Sequence, residues 1–327
     1  MGMDYPLLRK AYLFFWFMTV ALFLAAQGCG GDGDIRVVDF SKTIPAARQE
    51  NRSYDSSCLR VAVAAMVSPK ETFVSYHQML DYIGSRLGKN IELIQRKTYG
   101  EISEFFGRGL IDLAFICSGP YATGREKYGF EPLAIPQVKG SPFYRAYLIV
   151  NKDSPFHTLE DLRGWVFAFT DPGSNTGRLV PVYWLAQMQE QPETFFGKTI
   201  HTYSHDNSIL AVARGLVDGA SVHGLIWEYY HHKSPLLTSR TRIIKKSESY
   251  GNPPLVAARG LPSGLKARIR ELVLSMHQDP QGQRILHELM IDRFVVPQEE
   301  WYEPVRRMKE KLTIVNEIAY AQQKTQN

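Results

Sequence analysis

The sequence predicts a two-lobed α/β protein in which each lobe is a mostly parallel sheet flanked by helices. Strand-like runs alternate with helical spacing from Leu59 to Ile116 and again from Trp165 to His223, which is typical of parallel sheets with right-handed crossovers. Two extended segments, Phe143 to Asn151 and Asn252 to Ala257, would carry the chain between the lobes. The 327 residues, of which 44% are hydrophobic, suffice for two such lobes.

The first run contains three strands and two helices. Leu59 to Ala65 is apolar except for Arg60 and predicts a buried strand, and Phe73 to Leu87 follows with helical spacing. Ile91 to Gln95 and Ile111 to Ile116 are the next strands, separated by a helix from Tyr99 to Arg108. This alternation predicts a parallel sheet in the first lobe.

The second run begins with the strand Trp165 to Thr170. It continues through His201 to Ser204, a helix from Ser208 to Gly215 and a strand from Ala220 to His223. Three helices are then predicted near the end of the chain, at Ser263 to His277, Gln281 to Met290 and Trp301 to Ala321. We therefore assign residues 58–143 and 252–327 to lobe I and residues 144–251 to lobe II. A hinge of two strands would permit closure over a ligand.

The start of the chain resembles an export signal. Two basic residues precede an apolar run from Ala11 to Ala26, which is shorter than the roughly 20 residues that span a bilayer. The small residues before Cys29 resemble a bacterial lipobox. We expect residues 1–28 to be a signal peptide, Cys29 to carry a lipid and residues 29–57 to form a flexible tether. Simple cleavage and a retained helix are the alternatives.

Composition and cysteine usage narrow the function classes. The formal charge of +5 arises from 38 basic and 33 acidic residues that are interspersed, so the chain lacks the basic stripe of a nucleic-acid-binding protein. Cys58 and Cys117 would lie at opposite ends of neighbouring parallel strands, roughly 20 Å apart at about 3.3 Å per residue, so no disulfide is predicted. Common nucleotide-binding, zinc-protease and nucleophile-elbow motifs are missing.

The loop Asp171 to Gly177 follows a predicted strand and opens a helix. Unpaired backbone N–H groups at such a position attract an anion. The hydroxyls of Ser174 and Thr176 and the amide of Asn175 add further donors. An ordinary helix cap is the alternative, because these residue types are common at any helix start.

Three further side chains are candidates for ligand contacts. His205 follows a predicted strand, where ligands often bind in open α/β sheets; alternatively Asp206 caps the next helix and His205 packs beside it. Tyr99 and Tyr144 offer a hydroxyl and an apolar wall, although either could fill the core. His201 to His205 is predicted to be the end of a strand rather than part of a helix, so the spacing of the two histidines does not indicate a metal site. We predict neither a metal site nor a cofactor.

Several segments carry a resemblance to a known family. They are Gly140 to Tyr144, Leu148 to Pro155, Asp171 to Gly177 and His205 with the following Ala211 to Ala213. The sequence resembles the phosphate- and phosphonate-binding periplasmic proteins of ABC transporters, which have a type II periplasmic-binding-protein fold. The resemblance extends from Leu59 to about Ala321.

The resemblance implies roles for individual residues. Ser174, Asn175 and Thr176 match the family's cradle for the phosphonate oxygens, with Asn175 as a departure from its pattern. The other implied contacts are Tyr99, Tyr144 and His205, and the residues expected around them are Ser118, Tyr121 and His223. Leu225 and Pro253 stand where relatives that bind aminoalkylphosphonates have acids, so such ligands should bind poorly.

The sequence thus predicts a solute-binding component of an ABC transporter, in the bacterial periplasm and lipid-anchored to a membrane. It would capture phosphate, phosphite or an alkylphosphonate for a membrane permease, as a monomer and without catalysis. One alternative is a ligand-sensing subunit for a sensor kinase. Another is an enzyme on the same fold with His205 as its base.

Overall fold

The computed structural model describes residues 57–64, 66 and 68–326, which form an α/β fold. The strands, β1 to β13 in chain order, are Cys58–Val63, Asn90–Ile94, Leu113–Phe115, Phe130–Gln137, Phe143–Tyr144, Ala146–Asn151, Val166–Phe169, Lys198–His201, Gly219–His223, Thr241–Lys246, Tyr250–Gly251, Leu255–Ala258 and Arg293–Val295. The α-helices are Pro69–Leu87, Tyr99–Gly107, Ser118–Tyr128, Val180–Gln187, Pro192–Phe195, His205–Ala213, Gly224–Lys233, Pro235–Thr238, Ser263–Ser275, Pro280–Glu288 and Glu303–Gln326.

The expectations for the start of the chain lie outside the described residues. These are the signal peptide, the lipid on Cys29 and all of the tether except Ser57. Within the range that is described, no helix is both long enough and apolar enough to cross a membrane.

Two sheets share one strand order. The first runs β13-β4-β12-β3-β1-β2 and the second runs β10-β6-β9-β7-β8. Counted inward from one edge, β2, β1, β3 and β12 of the first sheet correspond to β8, β7, β9 and β6 of the second. The last strand of each set, β12 or β6, is one in which the chain crosses between the sheets. We call the first sheet with its helices the first lobe and the second sheet with its helices the second lobe.

Most strands of each sheet point in one direction, as predicted. In the first lobe β1 to β4 run together, while β12 and β13 run against them. In the second lobe β6 runs against the other four strands. β6 and β12 carry the chain from one lobe to the other. Each therefore enters its sheet at the opposite end from the strands with which it pairs and runs antiparallel to them. The two-lobed fold class is therefore confirmed.

The two connecting segments pair with each other. β5 and β11 form an antiparallel ribbon in which Tyr144 lies opposite Tyr250 and Phe143 lies opposite Gly251. This ribbon is the predicted two-strand hinge, and it places Tyr144 at the junction of the lobes. The lobe boundaries at 143/144 and 251/252 stay a prediction.

The first strand and helix illustrate how the sequence specifies the elements. β1 lies inside its sheet, and Leu59, Val61 and Val63 are at most 2% exposed, which explains why its sequence is apolar apart from Arg60. The next helix starts with proline at its first position, where no backbone N–H is needed. It ends at Gly88, whose φ of 65° is costly for residues with a Cβ.

Several elements were not predicted, among them two strands and a long helix. The helix Ser118–Tyr128 starts with Ser-Gly-Pro and has little apolar periodicity, so its sequence resembles a turn. β10 (Thr241–Lys246) is a polar strand at the edge of its sheet, where charged residues are common. The three-residue strand β13 is also at an edge. The strand predicted at His201 to Ser204 instead occupies Lys198–His201.

The predicted placement of Cys58 and Cys117 at opposite ends of parallel strands is confirmed. β1 and β3 are parallel, with Val61 opposite Leu113. Cys58 begins β1 and Cys117 follows β3, so the two thiols lie at opposite ends of the strands. Within the described part of the chain, neither cysteine forms a disulfide.

Candidate functional site

The candidate site lies where the parallel strands of both lobes end. Tyr99 and Ser118 are the first residues of helices that follow β2 and β3. Asn175 begins a π-helical turn after β7, and His205 begins a helix after β8. His223 ends β9 and precedes the first residue of the next helix. All five side chains therefore stand at helix N-termini, where the backbone carries partial positive charge.

The predicted cradle is buried. Ser174, Asn175 and Thr176 are at most 1% exposed. The Ser174 hydroxyl accepts a hydrogen bond from the Gly177 N–H at 3.0 Å and so caps the turn. The Asn175 amide donates to the Tyr144 hydroxyl at 3.1 Å, while the Thr176 hydroxyl has no partner among the described residues. The turn Asn175–Leu179 is π-helical, a wider geometry that is frequent at functional sites.

Two glycines allow close approach around the cradle. A Cβ on Gly177 would lie 1.7 Å from the Thr170 hydroxyl oxygen, which leaves no room for any side chain. A Cβ on Gly119 would lie 2.7 Å from the backbone oxygen of Gly173. Since Gly119 belongs to the first lobe and Gly173 to the second, the backbones of the two lobes touch here.

Hydrogen bonds also join the lobes beside the cradle. The Tyr99 N–H donates to the Asp171 carboxylate at 3.0 Å, and the Gly173 N–H donates to the same carboxylate at 2.7 Å. The His205 N–H donates to the Met66 carbonyl at 3.0 Å. Burial raises the pKa of Asp171, and the two N–H groups oppose this shift. These contacts describe a closed arrangement of the lobes.

The cap of the His205 helix differs from the alternative considered for Asp206. The helix was predicted to begin near Ser208, but it begins at His205. Ser204 is the cap, and its hydroxyl accepts from the Asn207 N–H at 3.4 Å. The Asp206 carboxylate instead accepts from the Ser68 N–H of the first lobe at 2.9 Å. His205 is thereby placed at the helix N-terminus rather than before it.

The two histidines of the site are neutral at physiological pH. Burial lowers the pKa of His205 from 6.5 to about 3. Burial, and next the proximity of His205, lower the pKa of His223 well below its usual value. The His223 N–H donates to Nδ1 of His205 at 3.0 Å, so the proton of the neutral His205 ring is on Nε2. Nε2 of His205 is consequently a hydrogen-bond donor, and it has no partner among the described groups.

The two tyrosines keep their protons because burial raises the pKa of both hydroxyls well above 10. The Tyr99 hydroxyl has no partner in the described structure. The Tyr144 hydroxyl bonds to the Ser118 hydroxyl and to Asn175. The Tyr144 ring stacks on the His223 ring, with centroids 4.1 Å apart and planes inclined by 20°.

Five neighbouring side chains end in buried polar atoms that lack a partner among the described residues. They are Tyr99 (Oη), Asn175 (Oδ1), Thr176 (Oγ1), His205 (Nε2) and His223 (Nδ1), which we call the polar cluster. Buried polar atoms in proteins are nearly always hydrogen-bonded. Five unpaired atoms on side chains at these strand ends therefore indicate a place for a polar ligand.

The remaining predicted residues have other contacts. The Tyr121 hydroxyl donates to Glu299, and its ring packs edge-on against Tyr302 with centroids 4.5 Å apart. Sequence reasoning missed Ser221, whose hydroxyl donates to the Thr176 carbonyl at 2.6 Å and links the cradle to β9. It also gave no role to Asn252, whose amide oxygen is buried and unpaired in the described structure. Both are polar residues within otherwise apolar segments, and this pattern could have identified them as candidate site residues.

The described residues do not assemble a metal site. No group of three or more histidine, cysteine, aspartate or glutamate side chains within them could hold a metal ion. His201 ends β8, whereas His205 starts the following helix. The two imidazoles thus do not share the helix face that their spacing alone would suggest.

Solved structures share this fold. A binding-protein component of an ABC phosphonate transporter from Pseudomonas aeruginosa has a TM-score of 0.75 at 22% identity, over 80% of this chain and 88% of that one. PhnD1 from Prochlorococcus marinus, solved in complex with methylphosphonate, has a TM-score of 0.71 at 20% identity, over 79% and 98%. At these identities the likeness establishes the type II periplasmic-binding-protein fold.

Curated relatives agree over part of their length. The phosphonates-binding periplasmic protein of Escherichia coli is 28% identical over 173 residues, which is 52% of this chain and 51% of that protein. The phosphate-import protein PhnD of Mycolicibacterium smegmatis is 27% identical over 187 residues, which is 53% and 58%. The chain thus spans little more than half the length of these relatives. A family model described as "ABC transporter, phosphonate, periplasmic substrate-binding protein" matches residues 61–302, so the chain belongs to this family.

Proposed function

We propose that the protein captures a small phosphorus oxyanion between its lobes and presents it to the permease of an ABC transporter. The candidates are phosphate, phosphite and a phosphonate. The observation that carries the proposal is the polar cluster, because its unpaired atoms sit at helix N-termini, where a tetrahedral anion is stabilised. The named ligands of the relatives, which are phosphonates, phosphate and methylphosphonate, belong to the same chemical class.

The cluster would bind the anion with neutral donors. Tyr99, Thr176 and His205 each have a hydrogen to give, and none carries a charge at neutral pH. A hydrogen bond to a charged group contributes about 1.5 to 3 kcal/mol. A half-turn of the Asn175 amide would turn its NH₂ group toward the ligand, while its oxygen accepts from Tyr144. Capture requires no bond to be broken, so we propose a binding function rather than catalysis.

The cellular setting is also proposed. Residues 1–28 would be removed as a signal peptide, and a lipid on Cys29 would anchor the monomeric protein to a membrane in the periplasm. Mass spectrometry of the protein from membranes tests this, because acylation adds the mass of the lipid to a chain that begins at Cys29. A chain that begins elsewhere, or that lacks the added mass, would exclude the anchor.

A thermal-shift panel tests the ligand class. Phosphate, phosphite, methylphosphonate and sulfate would each be added to the purified protein. A ligand at 100 times its dissociation constant stabilises the folded state by about 2.7 kcal/mol. We expect such a shift with at least one phosphorus oxyanion. A response to sulfate alone, or to none of the four, would contradict the proposal.

A further inference from the structure

An apolar cavity adjoins the polar cluster. Its volume is about 110 Å³, and His223 belongs to both regions. Both lobes contribute side chains to its walls, among them Met66, Phe115, Pro253 and Phe294 from the first lobe and Leu225 and Ile226 from the second. We call the space that these six residues and His223 line the apolar cavity. Because both lobes form it, its shape exists only when the lobes are closed.

The cavity offers little to a charged group. Among the described residues that line it, Glu228 is the one with a charged side chain. One Glu228 oxygen accepts from Lys139 at 2.6 Å and the other accepts from Tyr147 at 2.6 Å. Burial alone would raise the pKa of Glu228, but these two hydrogen bonds bring it below its usual value. The carboxylate is therefore already compensated by a cation. The unpaired amide oxygen of Asn252, which also lines the cavity, is a neutral acceptor and would replace only part of the water lost by an ammonium group.

The volume limits what could fit. An apolar cavity of about 150 Å³ is known to hold benzene, which has six carbons. By that scale the 110 Å³ beside His223 would hold about four carbons. Phosphate, phosphite and methylphosphonate would leave most of this space unfilled.

We propose that the preferred ligand is a phosphonate whose substituent is apolar and about four carbons long. The oxyanion binds at the polar cluster, and the substituent passes His223 into the apolar cavity. The inference rests on the proposed function, because it assumes that the oxyanion occupies the cluster. It adds that Leu225 and its neighbours select the ligand by the size and polarity of the substituent.

Calorimetry with three phosphonates on the purified protein tests this selection. Methylphosphonate reports the oxyanion site alone, butylphosphonate adds the chain, and 3-aminopropylphosphonate has the size of butylphosphonate with an ammonium at its end. Each buried methylene strengthens binding about fourfold, and the partly open cavity will yield less than full burial. We expect butylphosphonate to bind at least about tenfold more tightly than either of the other two.

The outcomes separate the two proposals. If methylphosphonate binds and butylphosphonate binds no better, the inference about the cavity is wrong while the proposed function stands. The inference is also wrong if 3-aminopropylphosphonate binds most tightly, because Glu228 then receives the ammonium. If phosphate or phosphite binds and no phosphonate does, the inference is wrong and the proposed function stands. If none of the phosphonates, phosphate or phosphite binds, the proposed function itself fails.

A pair of variants locates the substituent. Leu225→Phe adds bulk inside the cavity, whereas Leu236→Phe makes the same change on a side chain that is 84% exposed. We expect the ratio of butylphosphonate to methylphosphonate affinity to fall at least about fivefold in Leu225→Phe and to keep its value in Leu236→Phe. A ratio that is unchanged in Leu225→Phe would place the substituent outside the cavity and overturn the inference.

Discussion

The two parts of the interlobe site differ in how they are completed. The polar cluster contains five buried atoms that lack partners among the described residues, whereas most side chains that line the apolar cavity are hydrocarbon, with unpaired buried atoms only on His223 and Asn252 among its described lining residues. An unpaired buried polar atom costs about 1 to 3 kcal/mol. A ligand that pairs these atoms would therefore stabilise the closed protein more at the cluster than at the cavity. Under the proposed function, the oxyanion would drive closure and the cavity would select among oxyanions.

The comparison also explains why neutral groups suffice for an anion. The helices that begin at Tyr99, Ser118, Asn175 and His205 direct their N-termini to the same region. Each N-terminus carries about half a positive charge. The cluster could therefore bind an anion without a lysine or arginine and without the desolvation cost of a buried cation, although the Asp171 carboxylate already accepts from the Tyr99 N–H.

The largest effect should follow from a charge in the cluster. Asn175→Asp keeps the shape of a side chain that is 0% exposed but places a carboxylate against the bound oxyanion. A buried uncompensated charge costs about 3 to 5 kcal/mol, so calorimetry should detect no binding at concentrations that saturate the original protein. Asn90→Asp, on an exposed position of β2, is the matched control. If a folded Asn175→Asp protein still binds the oxyanion, Asn175 does not contact the ligand.

Thr176→Val distinguishes a role of the Thr176 hydroxyl in ligand binding from a role in the stability of the fold. The substitution keeps the shape and removes a hydroxyl that is unpaired in the described structure. We expect oxyanion binding to weaken by about 1 to 3 kcal/mol while the ligand-free protein becomes more stable. Thr313→Val, on an exposed helix position, should change neither quantity by more than about 0.5 kcal/mol. A loss of stability together with a loss of binding would mean that Thr176 acts only in the fold.

Gly119→Ala tests whether closure is needed for both regions. The added Cβ would lie 2.7 Å from the Gly173 oxygen of the other lobe, so the closed form must open slightly. We expect binding of every phosphonate to weaken by about 1 kcal/mol or more, the low end of overpacking costs. Gly264→Ala is the control, because no atom lies within 4 Å of its Cβ position. Equal affinities in the two variants would show that the lobes need not approach this closely.

The smallest effect concerns pH. The pKa of His205 is lowered to about 3 in the folded protein from an ordinary 6.5. Between these values the unfolded chain binds the extra proton, so the free energy of unfolding decreases as the pH falls. For His205 alone the loss is about 1 kcal/mol between pH 6.5 and 5.5. Urea titrations should show a shallower decrease for His205→Gln than for the original protein or for the exposed control His232→Gln. Parallel decreases in all three would contradict a neutral, buried His205.

Much of the fold could be predicted because the apolar runs are continuous. β1 and β6 are buried on both faces, so their sequences contain few polar residues and identify them as strands. β10 is an edge strand with charged residues, and the Ser118–Tyr128 helix has no apolar stripe, so neither had a clear signal. The cap of the His205 helix was misplaced because serine and aspartate are both good caps and only tertiary contacts commit Asp206 to Ser68.

Part of the candidate site could also be predicted from the sequence. The loop Asp171 to Gly177 could be identified because a strand followed by small polar residues and a helix is a local pattern. The link from His223 to His205 and the walls of the apolar cavity could not be derived, since they join residues of different strands and lobes. Burial on that scale depends on closure, which no local pattern encodes.

The most direct test is a crystal structure of the protein grown with methylphosphonate. We expect the phosphonate oxygens to lie about 2.7 to 3.2 Å from the Tyr99 hydroxyl, the Thr176 hydroxyl and Nε2 of His205, with the methyl group directed toward His223. A phosphonate bound elsewhere, with these three atoms still unpaired or occupied by water, would contradict this expectation.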